Sequence, residues 1–295
     1  MHFDRAHTRR ADRDWIREAI RRGSFLLLRG DSIGVHHARE ILWSAEDLGF
    51  EPSPEDVRFL GEREGRSLFS LDPGEERWAG LTARQMGELA GWRALVGEHQ
   101  ISDASLAAYA LSLERWHERT RFCGRCGSPM QSEEAGHSRS CTREGCEGKE
   151  FPRTDPVVIA VVTRGDYCLL GRHNRARSSL FFTALAGFVE PGESAEEAVA
   201  REIFEEAGVR VTRVRYFGSQ PWPFPHSLML GFYAETEDEK VTIDEDELVE
   251  ARWFTREEIL SGNVPIPPRF AIATQLIEGW AGEKKRQKSE GRRQK

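Results

Sequence analysis

The chain has 295 residues, of which 39% are hydrophobic and 31% are charged, a composition typical of a globular protein long enough for two domains. Its formal net charge of −7 gives no overall attraction to polyanions, so a nucleic-acid partner would need a local basic patch. No apolar run approaches the ~18 residues that span a membrane, and the charged N-terminal region lacks the apolar core of a signal peptide. We therefore expect a cytoplasmic protein with no membrane partner.

Residues 1–120 contain strand-like segments and one helix, and we interpret them as a β-rich N-terminal domain. Ser24–Leu28 and Ser67–Leu71 are apolar runs of strand length. From Asp103 to His117, alanine, leucine and tryptophan recur at the spacing of one helix face. We predict a helix here that ends shortly before the first cysteine.

Four of the five cysteines lie within 24 residues of one another: Cys123, Cys126, Cys141 and Cys146. A Cys-x-x-Cys-Gly turn lets two thiolates face one ion, and the second pair completes a tetrahedral set that suits zinc. Because cysteine fills all four positions, none is left for water, and we predict a structural zinc ribbon over residues 121–152. A redox-active Cys-x-x-Cys pair is the alternative, but it needs no second pair at this spacing. Nearby His137 is expected at the surface and not as a ligand.

Residues 153–282 carry alternating strand and helix signals, which we interpret as a third domain. Two apolar runs, Val157–Val162 and Tyr167–Gly171, flank a Gly-containing turn and predict a hairpin. Further strands are predicted near Val211–Phe217, Leu228–Glu235 and Glu250–Phe254, and a last helix at Arg269–Trp280. Residues 283–295 are rich in lysine and arginine without apolar periodicity, and we expect this basic tail to be disordered.

A helix with an unusual acidic face is predicted between Ser194, which forms a capping box with Glu197, and a terminating Gly208. At 100° per residue, three glutamates of this helix fall within an arc of about 100°, on the half that also carries alanine, valine and isoleucine. These three residues are Glu202, Glu205 and Glu206. Carboxylates that face the protein require a positive partner, and Mg²⁺ or Mn²⁺ is the natural choice. We expect Arg201 to pair with a nearby carboxylate such as Glu193. A solvated acidic helix is the alternative, which would suit an isolated Glu-Glu pair.

The segment from Gly187 to Val209 resembles the Nudix box, Gly-x5-Glu-x7-Arg-Glu-U-x-Glu-Glu-x-Gly-U with U apolar, and every specified position matches. Nudix hydrolases cleave nucleoside diphosphates linked to another group, using Mg²⁺ or Mn²⁺ against the pyrophosphate. The resemblance implies that Glu202, Glu205 and Glu206 bind the catalytic metal. It also implies that Glu205 or Glu206 helps to deprotonate the attacking water and is therefore catalytic.

A segment with three prolines alternating with two aromatic residues follows the acidic helix, from Ser219 to Ser227. Alternating prolines remove backbone donors, so we expect a rigid extended loop that displays its aromatic side chains. A proline-stiffened crossover in the core is the alternative. The segment resembles the Ser-Gln-Pro-Trp-Pro-Phe-Pro-x-Ser signature of the NADH pyrophosphatase branch of the Nudix hydrolases, which also has a four-cysteine ribbon. The resemblance implies a substrate-binding role for Gln220, Pro221, Trp222, Pro223, Phe224, Pro225, His226 and Ser227.

The same resemblance assigns roles to residues outside the two motifs. Ala186 would offer its carbonyl to the metal, and Glu247 would be a further metal ligand. Phe188 and Phe151 would sandwich a base, although the family more often has tyrosine at the position of Phe151. Ala273, in the last helix, would contact substrate.

Substrate contacts outside the third domain are carried over from the family on a fainter match. Arg29 and Arg84 correspond to basic contacts in the N-terminal domain. The acidic contact that the family has within the zinc ribbon corresponds to Gly136, which has no side chain to offer.

Together these patterns predict an α+β protein, with a β-rich N-terminal domain, a zinc ribbon and a Nudix α/β/α sandwich around a mixed sheet. The expected activity is metal-dependent hydrolysis of the pyrophosphate bond of NADH or NAD to NMN(H) and AMP by a homodimer. Removal of NAD caps from RNA is an alternative that uses the same atoms. A broad ADP-ribose-type hydrolase is a further alternative, which the proline-aromatic signature disfavours. A catalytically silent nucleotide- or RNA-binding module would be expected to have lost a box glutamate, and none is lost.

Overall fold

The computed structural model describes residues 3–36, 40–83, 87–91, 103–174 and 180–293. Its contacts divide the chain into two compact units. The first comprises Met1–Thr154 and Pro223–His226, and the second comprises Asp155–Trp222 and Ser227–Lys295. No helix in these described ranges is both long enough and apolar enough to cross a membrane.

The first unit is built on a sheet with the order β4-β5-β1-β2-β6, in which β3 pairs with β1. Its strands are β1 (Ser24–Arg29), β2 (Ser32–His36), β3 (Leu42–Ser44), β4 (Val57–Arg63), β5 (Arg66–Leu71) and β6 (Gly87–Gly91). Its helices are α1 (Arg13–Ile20), α2 (Ala45–Leu48), α3 (Gly74–Ala83) and α4 (Ala104–Arg119). Both predicted strands and the predicted helix before the cysteines are therefore confirmed. Buried aromatic rings fill one core, where Phe25 and Phe69 stack with centroids 5.5 Å apart.

The cysteine segment of the first unit forms a small antiparallel sheet of β7 (Met130–Glu133), β8 (Ser138–Cys141) and β9 (Lys149–Glu150). Two buried histidines attach it to the rest of the unit. His117 of α4 donates from Nε2 to the carbonyl of Gly136 at 2.7 Å, and His137 donates from Nε2 to the carbonyl of Phe59 at 2.7 Å. The predicted surface position of His137 is wrong, because this hydrogen bond to β4 satisfies the ring inside the unit.

The second unit contains a mixed sheet with the order β13-β14-β10-β11-β15, in which β12 pairs with β10. Its strands are β10 (Asp155–Arg164), β11 (Tyr167–His173), β12 (Leu185–Phe188), β13 (Arg213–Trp222), β14 (Ser227–Glu235) and β15 (Leu248–Thr255). Strands β10 and β14 are parallel, and the other pairs are antiparallel. The predicted hairpin and the later strands are confirmed.

Helices cover both faces of this sheet: α5 (Ala195–Ala207) packs on one face, and α6 (Arg256–Leu260) and α7 (Ile272–Arg293) pack on the other. Alternation along β10 explains the arrangement, because successive side chains of a strand point to opposite faces. Val158 and Ala160 pack with α5, whereas Ile159 and Val161 pack with α7. The predicted α/β/α sandwich is confirmed.

Two segments differ from the sequence-based expectation. Residues 219–222 are not in an extended loop but form the end of β13, where Pro221 pairs with Leu228 and Trp222 with Ser227. Among the described strands, β13 lies at the edge of the sheet, where proline is tolerated because its missing N–H can face away from β14. The last helix also continues to Arg293, through most of the tail for which the sequence predicts disorder.

Candidate active site

Local sequence fixes both ends of the acidic helix α5. The Ser194 hydroxyl accepts from the backbone N–H of Glu197 at 3.2 Å, and the Glu197 carboxylate accepts from the N–H of Ser194 at 2.8 Å. Gly208 ends the helix in the left-handed conformation, with φ of 68°. Both predicted helix signals are confirmed, so the register of the three glutamates is set by their spacing from these caps.

The three helix glutamates differ in their exposure. Glu206 is 1% exposed, the side chain of Glu202 is 15% exposed, and that of Glu205 is 56% exposed. At 100° per residue, Glu205 lies about 100° from Glu206 around the helix, and Glu202 lies between the two, about 40° from Glu206. The expectation that all three face the protein is therefore wrong for Glu205, which lies at the border with solvent.

Arg201 joins the loop before the helix to two of these glutamates. Its Nε and Nη2 atoms donate to the two carboxylate oxygens of Glu193 at 2.6 and 2.8 Å, which confirms the predicted pairing. Its Nη1 atom donates to Glu202 at 2.8 Å and to Glu205 at 3.0 Å, and Nη2 also reaches the carbonyl of Phe188 at 2.8 Å. The Arg201 guanidinium thereby holds the pKa of Glu193 down at about 2. The loop and the helix form one braced element.

Glycine is needed at position 187 because it leaves room for a neighbouring side chain, and not because of an unusual backbone conformation. A Cβ atom at this position would overlap the carboxylate of Glu202. Strand β12, which contains Gly187, pairs with β10 at Val158 and thus lies against the helix face. The first glycine of the box is therefore required so that the Glu202 carboxylate can pass over the strand.

Glu206 is the most deeply placed carboxylate of the site. Its Oε1 accepts from the backbone N–H of Ala186 at 3.3 Å, while its Oε2 is buried and has no hydrogen-bond partner in the described parts of the chain. Burial, together with the charges of Glu247 and Glu202, raises the pKa of Glu206 to about 8. A buried carboxylate oxygen without a donor, next to two more carboxylates, is the environment that a divalent cation with oxygen ligands fits.

The other predicted metal ligands are placed by neighbouring strands. Glu247 immediately precedes β15, and its charge also raises the pKa of Glu202, whose largest cause of increase is burial. Ala186 lies in β12 opposite Ile159, and its amide holds Glu206 as described above. The fold therefore places Glu202, Glu206 and Glu247 close enough for their charges to interact. Ala186 lies beside them through its contact with Glu206.

The four clustered cysteines converge as predicted. One ligand atom from each lies within 4.8 Å of all the others: Cys123, Cys126, Cys141 and Cys146. The backbone N–H of Arg143 donates to the sulfur of Cys141 at 3.4 Å, and a side chain on Gly148 would strike the sulfur of Cys123. Four converging thiols with backbone donors suit one structural zinc ion, and they leave no pair set apart for redox chemistry.

The predicted substrate residues of the proline-aromatic segment that lie in β13 have different surroundings. Gln220 donates to the carbonyl of Phe270 at 2.7 Å and accepts from the N–H of Ile272 at 2.8 Å. Trp222 stacks on the ring of Phe270 at 6.2 Å, with 15° between the planes. Pro221 is exposed at the edge of the sheet.

Residues 223–226 of the same segment cluster with the first unit. Phe224 packs against the core around α4, and the guanidinium of Arg115 lies 5.4 Å from its ring centroid. Arg119 contacts His226 at 3.3 Å. Pro223 is buried and Pro225 half-buried, while the following Ser227 is buried in the second unit.

The remaining predicted contacts vary in their accessibility. Phe151 in the first unit and Phe188 in the second are 58% and 57% exposed. Ala273 is buried in the core beneath α7, which leaves little of its side chain to meet a ligand. Arg29 pairs with Glu75 at 3.5 Å, and Arg84 lies outside the described residues.

Gly136 is buried with φ of 95°, and a side chain there would strike Arg58. The position that corresponds to the family's acidic contact is therefore used here for packing within the first unit. Sequence reasoning also missed Phe270, because a single aromatic residue after two prolines carries no signal of its partner.

Known proteins are similar to this chain over the four-cysteine segment and over the domain that contains the acidic helix. The NUDIX domain family matches residues 153–273, and the NADH pyrophosphatase zinc ribbon domain matches residues 118–148. The NAD-capped RNA hydrolase NudC of Mycobacterium bovis is 39% identical over 279 residues, covering 86% of this chain and 85% of that protein. The human NAD-capped RNA hydrolase NUDT12 is 44% identical over 193 residues, which cover 60% of this chain but only 42% of the human protein. The chain belongs to the Nudix hydrolase family, in the branch that carries the NADH pyrophosphatase zinc ribbon.

Proposed function

We propose that this protein hydrolyses the pyrophosphate bond of a nicotinamide dinucleotide, NADH or NAD, to NMN(H) and AMP. The observation that carries the proposal is the buried carboxylate of Glu206, whose Oε2 has no hydrogen-bond partner among the described residues, beside the charges of Glu202 and Glu247. Such a group suits a divalent cation, and a cation at this place would meet the diphosphate that the family cleaves.

The metal is proposed to be Mg²⁺ or Mn²⁺, held by Glu202, Glu206 and Glu247 with the carbonyl of Ala186, and with Glu205 at the exposed side. When bound, the ion supplies charge neutralisation of the phosphate oxygens and a lowered pKa for a coordinated water. The zinc of the ribbon is proposed to be structural, since cysteine occupies all four ligand positions.

The chain's own residues have separate tasks in this proposal. Arg201 fixes the loop through Glu193 and restrains Glu202 and Glu205, so that the carboxylates are oriented before substrate arrives. Glu205 or Glu206 accepts the proton of the attacking water. The exposed ring of Phe188 and the ring of Trp222 are proposed to contact the groups that flank the phosphates.

Removal of NAD caps from RNA is the second candidate function. It is favoured by the similar proteins of M. bovis and human, both of which are named NAD-capped RNA hydrolases. The bond broken would be the same pyrophosphate, so the two functions differ only in whether an RNA chain is attached to the adenosine. A homodimer and a cytoplasmic location stay predictions.

Product analysis tests the proposal. Purified protein with Mg²⁺ or Mn²⁺ is incubated with NADH, NAD⁺, ADP-ribose and NAD-capped RNA, and the products are separated by chromatography. The proposal expects NMNH with AMP from NADH, and ¹⁸O from labelled water in a phosphate, since water attacks phosphorus. Free nicotinamide with ADP-ribose, or faster turnover of ADP-ribose than of NADH, would contradict it. Faster turnover of capped RNA than of free dinucleotide would favour the second function.

A further inference from the structure

The segment that precedes helix α7 carries an aromatic ring to the end of strand β13. The rings of Phe270 and Trp222 are nearly parallel, with an angle of 15° and centroids 6.2 Å apart. Trp222 is the last residue of β13 and is half-buried, as is Phe270. The stack therefore restrains the plane of an indole at the end of an edge strand.

Gln220 fixes the position of Phe270. Its amide nitrogen donates to the carbonyl of Phe270 at 2.7 Å, and its amide oxygen accepts from the N–H of Ile272 at 2.8 Å. Ile272 is the first residue of α7, and the N–H groups of a first helical turn lack partners within the helix. The side chain of Gln220 thus caps α7 from a neighbouring strand, and it holds the residue two positions before the helix start.

Independent contacts hold the same segment from its other side. The Thr274 hydroxyl donates to the carbonyl of Pro267 at 2.6 Å, and the N–H of Ala271 donates to the carbonyl of Pro268 at 2.9 Å. Ile272 lies so close to β14 that a side chain on Gly231 would strike it. The backbone around Phe270 is therefore fixed by several contacts. Both polar atoms of the Gln220 side-chain amide form hydrogen bonds to this backbone.

We propose that Phe270 is a positioning residue that sets the ring of Trp222 for recognition of the substrate, and that Gln220 acts through Phe270. The proposal rests on the proposed function for the role of Trp222 as a substrate contact. It assigns Phe270 a specificity role that the sequence patterns did not indicate, and it gives Gln220 a task other than direct contact with substrate.

The spectroscopic test uses the full-length protein labelled with 5-fluorotryptophan. The chain has eight tryptophans, and the ¹⁹F resonance of Trp222 is assigned with Trp222→Phe. Phe270→Leu removes the ring but keeps an apolar side chain, and Phe270→Tyr keeps the ring. We expect Phe270→Leu to move or broaden the Trp222 resonance, Phe270→Tyr to leave it near its original position, and Gln220→Leu to resemble Phe270→Leu. An unmoved Trp222 resonance in Phe270→Leu would overturn the proposal.

The kinetic test asks whether Phe270 acts through Trp222. With NADH, Phe270→Leu should raise KM about threefold to tenfold with kcat changed less than about twofold, as loss of uniform binding predicts. Phe270→Tyr should restore the original KM. In a Trp222→Ala background, Phe270→Leu should have no further effect, because contacting residues are not additive. Equal effects in both backgrounds would overturn the proposal.

Phe217→Leu is the matched control, since it makes the same change at a half-exposed ring of β13 that packs on Tyr233 and not on Trp222. It should leave both KM and the Trp222 resonance unchanged. Different results would refute the proposed function and the positioning role of Phe270. Wild-type protein without NADH turnover would refute the proposed function, whereas turnover that is indifferent to the ring at position 270 would refute only the positioning role.

Discussion

At residue 206 a nearly inaccessible carboxylate has one oxygen bound to the amide of Ala186 and the other without a partner in the described parts of the chain. Glu206→Gln keeps the shape and the contact with Ala186 but removes the charge that would hold a cation. We expect the urea midpoint of the metal-free protein to be nearly unchanged, because the pKa of Glu206 is raised to about 8 and the group is largely uncharged near pH 7 without a cation. Turnover of NADH should fall at least about a hundredfold, as expected when a group that organises transition-state charge is lost.

Glu196→Gln is the control for this change, because Glu196 is exposed in the first turn of the same helix. It should retain turnover close to that of the unaltered protein. Addition of EDTA should abolish the activity of both the control and the unaltered protein, and Mg²⁺ or Mn²⁺ should restore it. If Glu206→Gln kept near-full turnover, the role assigned to this carboxylate would be wrong.

At the same scale, spacing along one helix was enough to predict the pairing of Arg201 with Glu193, because both positions are fixed by the cap at Ser194. Spacing was not enough for Glu205. Its exposure depends on where the buried arc of the helix is centred, and Val199, Ile203 and Ala207 place that centre well away from Glu205. The partners of Gln220 could not be predicted either, since they come from residues about fifty positions later.

The zinc ribbon is an element too small to hold itself together by a hydrophobic core. Its strands are four, four and two residues long, and its four sulfurs form the cluster at one end. We expect purified protein to contain about one zinc per chain, by the four-ligand rule. Cys126→Ser should reduce that content and lower the thermal midpoint before it changes kcat, because metal binding and folding are coupled.

Cys168→Ala is the matched control for the zinc experiment, because Cys168 lies in the apolar core of the second unit and not in the cluster. Its zinc content should equal that of the unaltered protein. A folded, active chain that contains no zinc by metal analysis would refute the structural role.

Elements with strong local signals were predicted well, and those decided by long-range pairing were not. The hairpin of β10 and β11 follows from a turn between apolar runs, and α5 follows from its caps. The end of β13 was interpreted as a loop because three prolines oppose a central strand. Only Pro221 of the three lies in β13, and the sheet order places this strand at an edge, where a proline is allowed.

For the whole molecule, the two buried histidines of the first unit predict a loss of stability in acid. Burial lowers the pKa of His117 to about 3 and that of His137 to about 4, both from 6.5. The charges of Arg58 and Arg139 near His117, and of Arg5 and Arg10 near His137, contribute to these lowered pKa values. Below pH 6.5 the two histidines bind protons more readily in the unfolded chain than in the folded chain. The free energy of unfolding therefore has its full value above pH 6.5 and falls as the pH drops toward 4.

The loss is about 1.4 kcal/mol per pH unit for each histidine within that window. It is measured as the free energy of unfolding in urea at pH 7.5, 6 and 5. His137→Gln keeps a donor for the carbonyl of Phe59 but does not titrate, so its stability should fall less between pH 6.5 and 5. Equal pH slopes for the variant and the unaltered protein would show that His137 does not cause the loss.

The quaternary state is a second prediction for the whole molecule. The sequence resemblance predicts a homodimer, and one chain has a mass of 33.6 kDa. Light scattering coupled to size exclusion, at micromolar concentration, should therefore give twice this mass. A stable monomer mass over the whole concentration range would contradict the prediction.

The position of β13 at the edge of its sheet has a consequence for aggregation. An open edge is a template on which strands of other molecules can add, and proteins protect such edges with proline and charge. On β13, Pro221 has no N–H to offer and Arg213 and Arg215 are exposed. The proline beside Trp222 therefore also keeps an exposed strand from recruiting neighbours. Replacing Pro221 with a residue that restores the N–H should allow strands of other molecules to pair with this edge. The protein would then precipitate at a lower concentration.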